Sequence, residues 1–177
     1  FSQVLRRLEN EALQLLLTDT VCLLQQALPP DCDFGQTISL DTKHIVAWIK
    51  ENNPKAYVKE GRFDKTKQTA GDPDCKLGFK SRSNQRRRFA TPQQEGIPAS
   101  RLGVGGGEFY WGYASGVVAT KLPGYGEFVL AELTQPFDQS DVSYFHELMT
   151  LVEKRLGFAP PNGALDAAYD AHYVYDY

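Results

Sequence analysis

The chain has 177 residues, 42% hydrophobic and 23% charged, a globular composition sized for one domain or for a domain with a helical appendage. No apolar run is long enough to cross a bilayer, and the first ten residues carry Arg6 and Arg7 without a signal-peptide pattern. Three widely spaced cysteines, Cys22, Cys32 and Cys75, argue against both a disulfide framework and a zinc site, so a reducing, cytoplasmic setting is expected.

A net charge of −3 argues against a nucleic-acid binder, but the charge is unevenly placed: residues 43–88 hold 13 Lys and Arg against 5 Asp and Glu, leaving −11 for the rest. Such asymmetry fits either one polyanion-facing surface or a solvated charged loop. The chain begins at Phe1 with no initiator Met, and a fragment or trimmed chain is expected.

Residues 3–28 read as one helix or two, with Val4, Leu5, Leu8, Leu13, Leu16, Val21, Leu23, Leu24 and Leu28 at helical spacing. Pro29 and Pro30 end it, and 31–35 is a turn. Thr37 to Leu40 alternates as a strand that reaches Asp41, Thr42 and Lys43, with His44 to Trp48 as a candidate continuation. From Glu51 to Gly107 apolar residues thin out and no periodicity is visible. That stretch is expected to be a basic, loop-rich insertion, since long structureless connections are usually functional or mobile.

Phe109 to Thr120 and Glu127 to Thr134 are rich in aromatic and β-branched residues, and Leu122 to Gly126 supplies the turn of a hairpin. Asp138 or Ser140 is placed to cap a helix over 141–156, with Gly157 at its C-terminal cap. Gly163 to Leu165 is a short strand ending at Asp166, and a further helix is expected to start at Ala167. The division expected is an N-terminal helical segment over 1–34 and an α/β domain over 35–177, with 51–107 inserted. Right-handed crossovers would lay the first and last strands parallel, with Asp41 and Asp166 at neighbouring strand ends.

Carboxylates delivered by different strands are what two-metal phosphodiester chemistry requires. Two aspartates alone say little, because any α/β protein has some. The local wording says more. Ile38-Ser39-Leu40-Asp41-Thr42 is an apolar strand ending in Asp and a small hydroxyl residue. Ala164-Leu165-Asp166-Ala167-Ala168-Tyr169-Asp170 is a short strand that delivers Asp into an Ala-x-Tyr-Asp turn. Between them lie Asp72-Pro73-Asp74-Cys75-Lys76-Leu77-Gly78, Phe109-Tyr110-Trp111-Gly112-Tyr113 and Leu133-Thr134-Gln135-Pro136.

In order and spacing these strings resemble the catalytic domain of bacterial-type insertion-sequence DDE transposases, over most of residues 37–177. The resemblance implies an RNase H-like mixed sheet flanked by helices, with Asp41 and Asp166 as catalytic residues that hold Mg²⁺ or Mn²⁺. It implies endonucleolytic cleavage and joining of double-stranded DNA at transposon ends, DNA recombination in a bacterial, nucleoid-associated setting, and a homo-oligomer on DNA. The family's third acidic residue is a Glu well downstream of the second Asp. No Glu follows Asp166 in the eleven residues to Tyr177, so the chain alone is expected to be catalytically incomplete.

Other residues keep two readings. Asp170 lies a helical turn beyond Asp166 and is either a helix-start group or the ligand itself. Asp141 reads as a helix N-terminal residue. Asp72 and Asp74 are a turn or a small cation loop. Lys76, Lys80, Arg82, Asn84, Gln85, Arg86, Arg87 and Arg88 are the DNA-contact candidates, since Arg forks pair with phosphate and Asn or Gln reaches phosphates or bases. The alternative for them is a solvated basic loop. Tyr110, Trp111 and Tyr113 either stack bases or form the buried face of a strand. His44 lines the cleft or is structural. The glycine run over 103–107 lacks the residues of a phosphate loop and reads as a hinge. Rival functions are a related nuclease that cleaves without transposing, and a non-catalytic DNA-binding remnant.

Overall fold

The computed structural model describes residues 9–53, 63–64, 66–81 and 107–177. Helix α1 runs Asn10–Ala27. It stops at Leu28, whose backbone is extended (φ −77°, ψ 151°), because the residue before a proline is forced out of the helical region. Strand β1 covers Thr37–Val46, so the strand continues past Asp41 as far as Val46. A single 3₁₀ turn, Lys50–Asn52, follows.

Strand β2, Lys76–Ser81, lies inside the segment expected to lack regular structure. It pairs antiparallel with β3, Gly107–Leu122, from Lys76 opposite Gly112 to Ser81 opposite Gly107. Strand β4, Gly126–Pro136, returns from β3 through a turn in which Tyr125 N–H donates to the Leu122 carbonyl (3.1 Å). The expected 141–156 helix is in two parts, a 3₁₀ turn Asp141–Tyr144 and helix α2, Phe145–Leu156. The Ser140 side chain makes no cap bond. Gly157 closes α2 in the left-handed region (φ 79°), with its N–H on the Glu153 carbonyl, as a glycine in that place does.

Strand β5 is Asn162–Leu165. The helix expected from Ala167 is broken: a 3₁₀ turn Ala167–Tyr169 and a four-residue helix α3, His172–Tyr175, are separated at Ala171, whose backbone is extended (φ −141°, ψ 144°). The five strands make one mixed sheet in the order β2-β3-β1-β5, with β4 paired to β3. Strands β1 and β5 are parallel neighbours. Among the described residues no helix is long and apolar enough to cross a membrane.

The chain forms two compact units, one of residues 1–43, 114–135 and 139–177, the other of 44–113 and 136–138. In the first, α1 packs on α2, and Val21, Leu130, Leu148 and Val152 are wholly buried, each such side chain contributing roughly 1.5–3 kcal/mol by leaving water. Tyr144 is equally buried and donates its hydroxyl to the Ala114 carbonyl (2.9 Å).

In the second unit Ala47, Cys75, Leu77 and Trp111 form the core, with Ile49 and Tyr113 against it. The Asn52 amide knits it together: Nδ2 donates to the Ala47 and Trp111 carbonyls (2.8 and 2.7 Å), and Oδ1 accepts from Trp111 N–H (2.8 Å).

Candidate functional site

Strand pleating sets the first half of the site. Along β1, Ile38 and Leu40 are buried while Thr37, Ser39 and Asp41 are exposed, the two-residue alternation of a half-covered strand. Strand β5 lies alongside in the register Ile38–Gly163, Ser39–Ala164, Leu40–Leu165. Asp41 is the next residue on β1, and Asp166 is the first residue after β5. The two residues, 125 positions apart in sequence, thus directly follow the last pair of the parallel ladder.

Each is held locally. Asp41 Oδ1 accepts the Thr42 backbone N–H at 2.8 Å. Asp166 occupies the N-cap of the Ala167–Tyr169 turn, its Oδ1 accepting the Ala168 N–H at 2.8 Å, the role for which a short acidic side chain is suited. Both residues are exposed. Neither Oδ2 makes a hydrogen bond among the described residues, and these are hard oxygen donors of the kind Mg²⁺ and Mn²⁺ take while keeping several waters. In chemistry the pair fits such a cation. Among the described residues no three His, Cys, Asp or Glu side chains lie close enough together to hold one ion.

Tyr169 ends the turn that Asp166 caps. It is 3% exposed, and its hydroxyl shares a 2.7 Å hydrogen bond with the Thr42 hydroxyl. Burial pushes the phenol up to about 12, the Thr42 bond opposes the shift, and the negative charges of Asp141, Asp166 and Asp41 add to it. The charge of Asp141 acts here because the Asp141–Tyr144 turn packs against Ala167–Tyr169. Sequence reasoning gave Asp141 only a place at a helix start. No spacing signal joins the two turns, which meet only through tertiary packing.

Asp170 faces elsewhere and accepts the Tyr175 hydroxyl at 2.8 Å. Asp72 is built into a turn: its Oδ1 accepts Tyr113 Oη (2.6 Å) and the N–H groups of Asp74 and Cys75 (both 3.3 Å). The Asp-Pro-Asp-Cys string thereby anchors β2 to β3. His44 packs edge-on to Phe137 (4.2 Å between ring centres). Trp111 is buried and Tyr110 stacks on Phe137 at 4.6 Å, so these two aromatics serve the interior of the second unit. Ser39 Oγ is turned to the Ala119 carbonyl.

Of the DNA-contact candidates, Lys76 donates to Gln68 Oε1 (2.9 Å). Lys80 is on β2, with its side chain outside the described residues, where Arg82, Asn84, Gln85, Arg86, Arg87 and Arg88 also fall, as does the glycine run up to 106. The second unit has a concavity of about 930 Å³ lined by Val46, Trp48, Ile49, Asn52 and Gly71 among others. It includes neither Asp41 nor Asp166.

Comparison with known proteins adds no relative: no family model matches the chain, and no curated protein or solved structure matches it.

Proposed function

We propose that this chain is part of the catalytic domain of an insertion-sequence DDE transposase with an RNase H-like fold, acting in cleavage and strand transfer at transposon ends. The observation that supports the reading is the parallel register of β1 and β5, which ends at Leu40 and Leu165, one residue before Asp41 and Asp166. The motif strings of the sequence support it, and the mixed α/β architecture is compatible with it.

Asp41 and Asp166 would hold Mg²⁺ or Mn²⁺ through their Oδ2 atoms. When bound, such ions supply Lewis acidity that activates an attacking oxygen and stabilises the leaving one. The Asp166 cap and the Asp41–Thr42 bond each hold one carboxylate oxygen, which would lower the ordering needed when a cation arrives. In the first step water adds to a phosphodiester phosphorus and the 3′-oxygen leaves as a hydroxyl. In the second that 3′-hydroxyl attacks a target phosphodiester, one P–O bond forming as another breaks. The basic residues from Lys76 to Arg88 would grip the DNA backbone, a role whose strength falls steeply with salt.

The test is Mg²⁺-dependent nicking and end joining by the protein that carries this chain. Asp41→Asn and Asp166→Asn should each abolish both activities while leaving the circular dichroism spectrum unchanged. Nicking that survives either substitution sinks the reading. Nicking without joining would point to a nuclease of the same fold, and DNA binding without nicking to a non-catalytic remnant.

A further inference from the structure

The ladder between β1 and β5 ends at Leu40 and Leu165, one residue short of both aspartates. Backbone pairing therefore does not fix the separation of the two carboxylates. What continues the joint beyond the ladder is the side-chain bond between Thr42 and Tyr169, 2.7 Å long and spanning 127 positions in sequence. Each partner is tied to one aspartate. Thr42 N–H binds Asp41 Oδ1. Tyr169 N–H donates to the Asp166 carbonyl at 3.1 Å, within the turn that Asp166 Oδ1 caps. The two hydroxyls thus link the residue that binds the Asp41 carboxylate to a residue of the turn that the Asp166 carboxylate caps.

We propose that Thr42 and Tyr169 are positioning residues whose hydroxyl pair sets the spacing of the Asp41 and Asp166 carboxylates for a divalent cation. The inference rests on the proposed function and deepens it. Phenylalanine at 169 would fill the same buried volume, so packing alone does not call for the phenolic oxygen. Its placement against Thr42, at the one point where strand pairing has stopped, is what the spacing of the carboxylates uses. Outer groups of this kind orient metal ligands without touching the metal.

The experiment is a Mn²⁺ titration of this chain followed by the paramagnetic resonance signal of free Mn²⁺, with thermal unfolding measured on the same samples. Wild type should bind Mn²⁺, and Asp41→Asn and Asp166→Asn should each remove that binding. Tyr169→Phe and Thr42→Val should each weaken it by roughly 10-fold or more. Thr42→Ser, which keeps the hydroxyl, should restore it. The double variant Thr42→Val/Tyr169→Phe should be no worse than either single one, because both remove the same bond. Should Tyr169→Phe fail to fold, the contrast between Thr42→Ser and Thr42→Val carries the test.

Mn²⁺ binding that needs the aspartates but ignores the hydroxyls overturns the positioning role and leaves the proposed function standing. Absence of aspartate-dependent binding in the wild type overturns both.

Discussion

Arg155 is 4% exposed and carries its charge into the first unit. Its Nη1 donates to the Leu130 carbonyl (2.7 Å), Nη2 to Gln14 Oε1 (2.6 Å), and Nε to the Thr18 hydroxyl (3.1 Å). One side chain of α2 thus ties down α1 and β4. Burial lowers its pKa, and the charge of Glu132 opposes that shift. The guanidinium is satisfied mainly by neutral oxygens, and their loss of a partner sets the cost of removing it. Arg155→Met is expected to destabilise the fold by about 1–3 kcal/mol, read as a lower denaturant midpoint at unchanged slope. Arg155→Lys should recover only part of this, since an ammonium cannot reproduce the planar fork. A midpoint equal to wild type for Arg155→Met would refute the tie. In the sequence Arg155 is one more charged residue beside Leu151, Val152 and Leu156. Helical periodicity marks the buried stripe of α2 but gives no sign that a cation belongs to it.

Among the elements, β1 and β3 approach so closely that side-chain size decides whether they fit. A Cβ on Gly112 would lie 2.1 Å from the Ile45 carbonyl oxygen, backbone that cannot swing aside. The Phe137 N–H donates to the Gly112 carbonyl (3.1 Å), and the Phe137 ring covers Gly78, where a Cβ would come within 1.9 Å of it. Gly112→Ala is expected to cost about 1–3 kcal/mol by overpacking, visible as a lower melting temperature. An unchanged melting temperature would contradict the close approach.

Strand β2 is the element that sequence reasoning passed over. Leu77 and Phe79 do alternate, but six residues containing a Gly and two Lys give too short a signal to stand out in a basic stretch. Its partner strand and the Asp72 turn make it a strand. The C-terminal helix was expected and is interrupted for a related reason. His146 stacks on Tyr173 (5.2 Å) and Phe145 meets Tyr177 edge-on (5.3 Å), so docking of aromatic side chains on the start of α2 prevails over helical continuity. In α1 the apolar spacing revealed the helix but not its covered side: Val21 is fully buried, while Leu15, Leu16 and Leu23 are more than half exposed.

For the molecule as a whole, ionisation of buried phenols sets an alkaline limit. Burial pushes Tyr110 and Tyr169 up to about 12 from the ordinary 10.0. Tyr113 and Tyr177 are raised as well, by burial and by their hydrogen bonds to Asp72 and Glu153. The folded state therefore keeps phenolic protons that the unfolded chain gives up once pH passes 10, and this contribution to stability is lost as pH climbs toward the folded values. Melting temperature should fall steeply between pH 10 and about 12, with phenolate absorbance rising together with unfolding. Phenols that all titrate near pH 10 in the folded protein would contradict this.

The order of helix, strand, hairpin, helix and strand was legible because periodicity and turn residues act over a few neighbours. So was the placing of Asp41 and Asp166 directly after short apolar runs. The parallel neighbours β1 and β5 and the hairpin of β3 and β4 were expected too, and the structure has both. The bond between Thr42 and Tyr169, the packing of the Asp141–Tyr144 turn and the burial of Arg155 were settled only by tertiary structure. Those contacts join residues more than a hundred positions apart or separate turns, and they follow from how whole elements pack rather than from any local pattern.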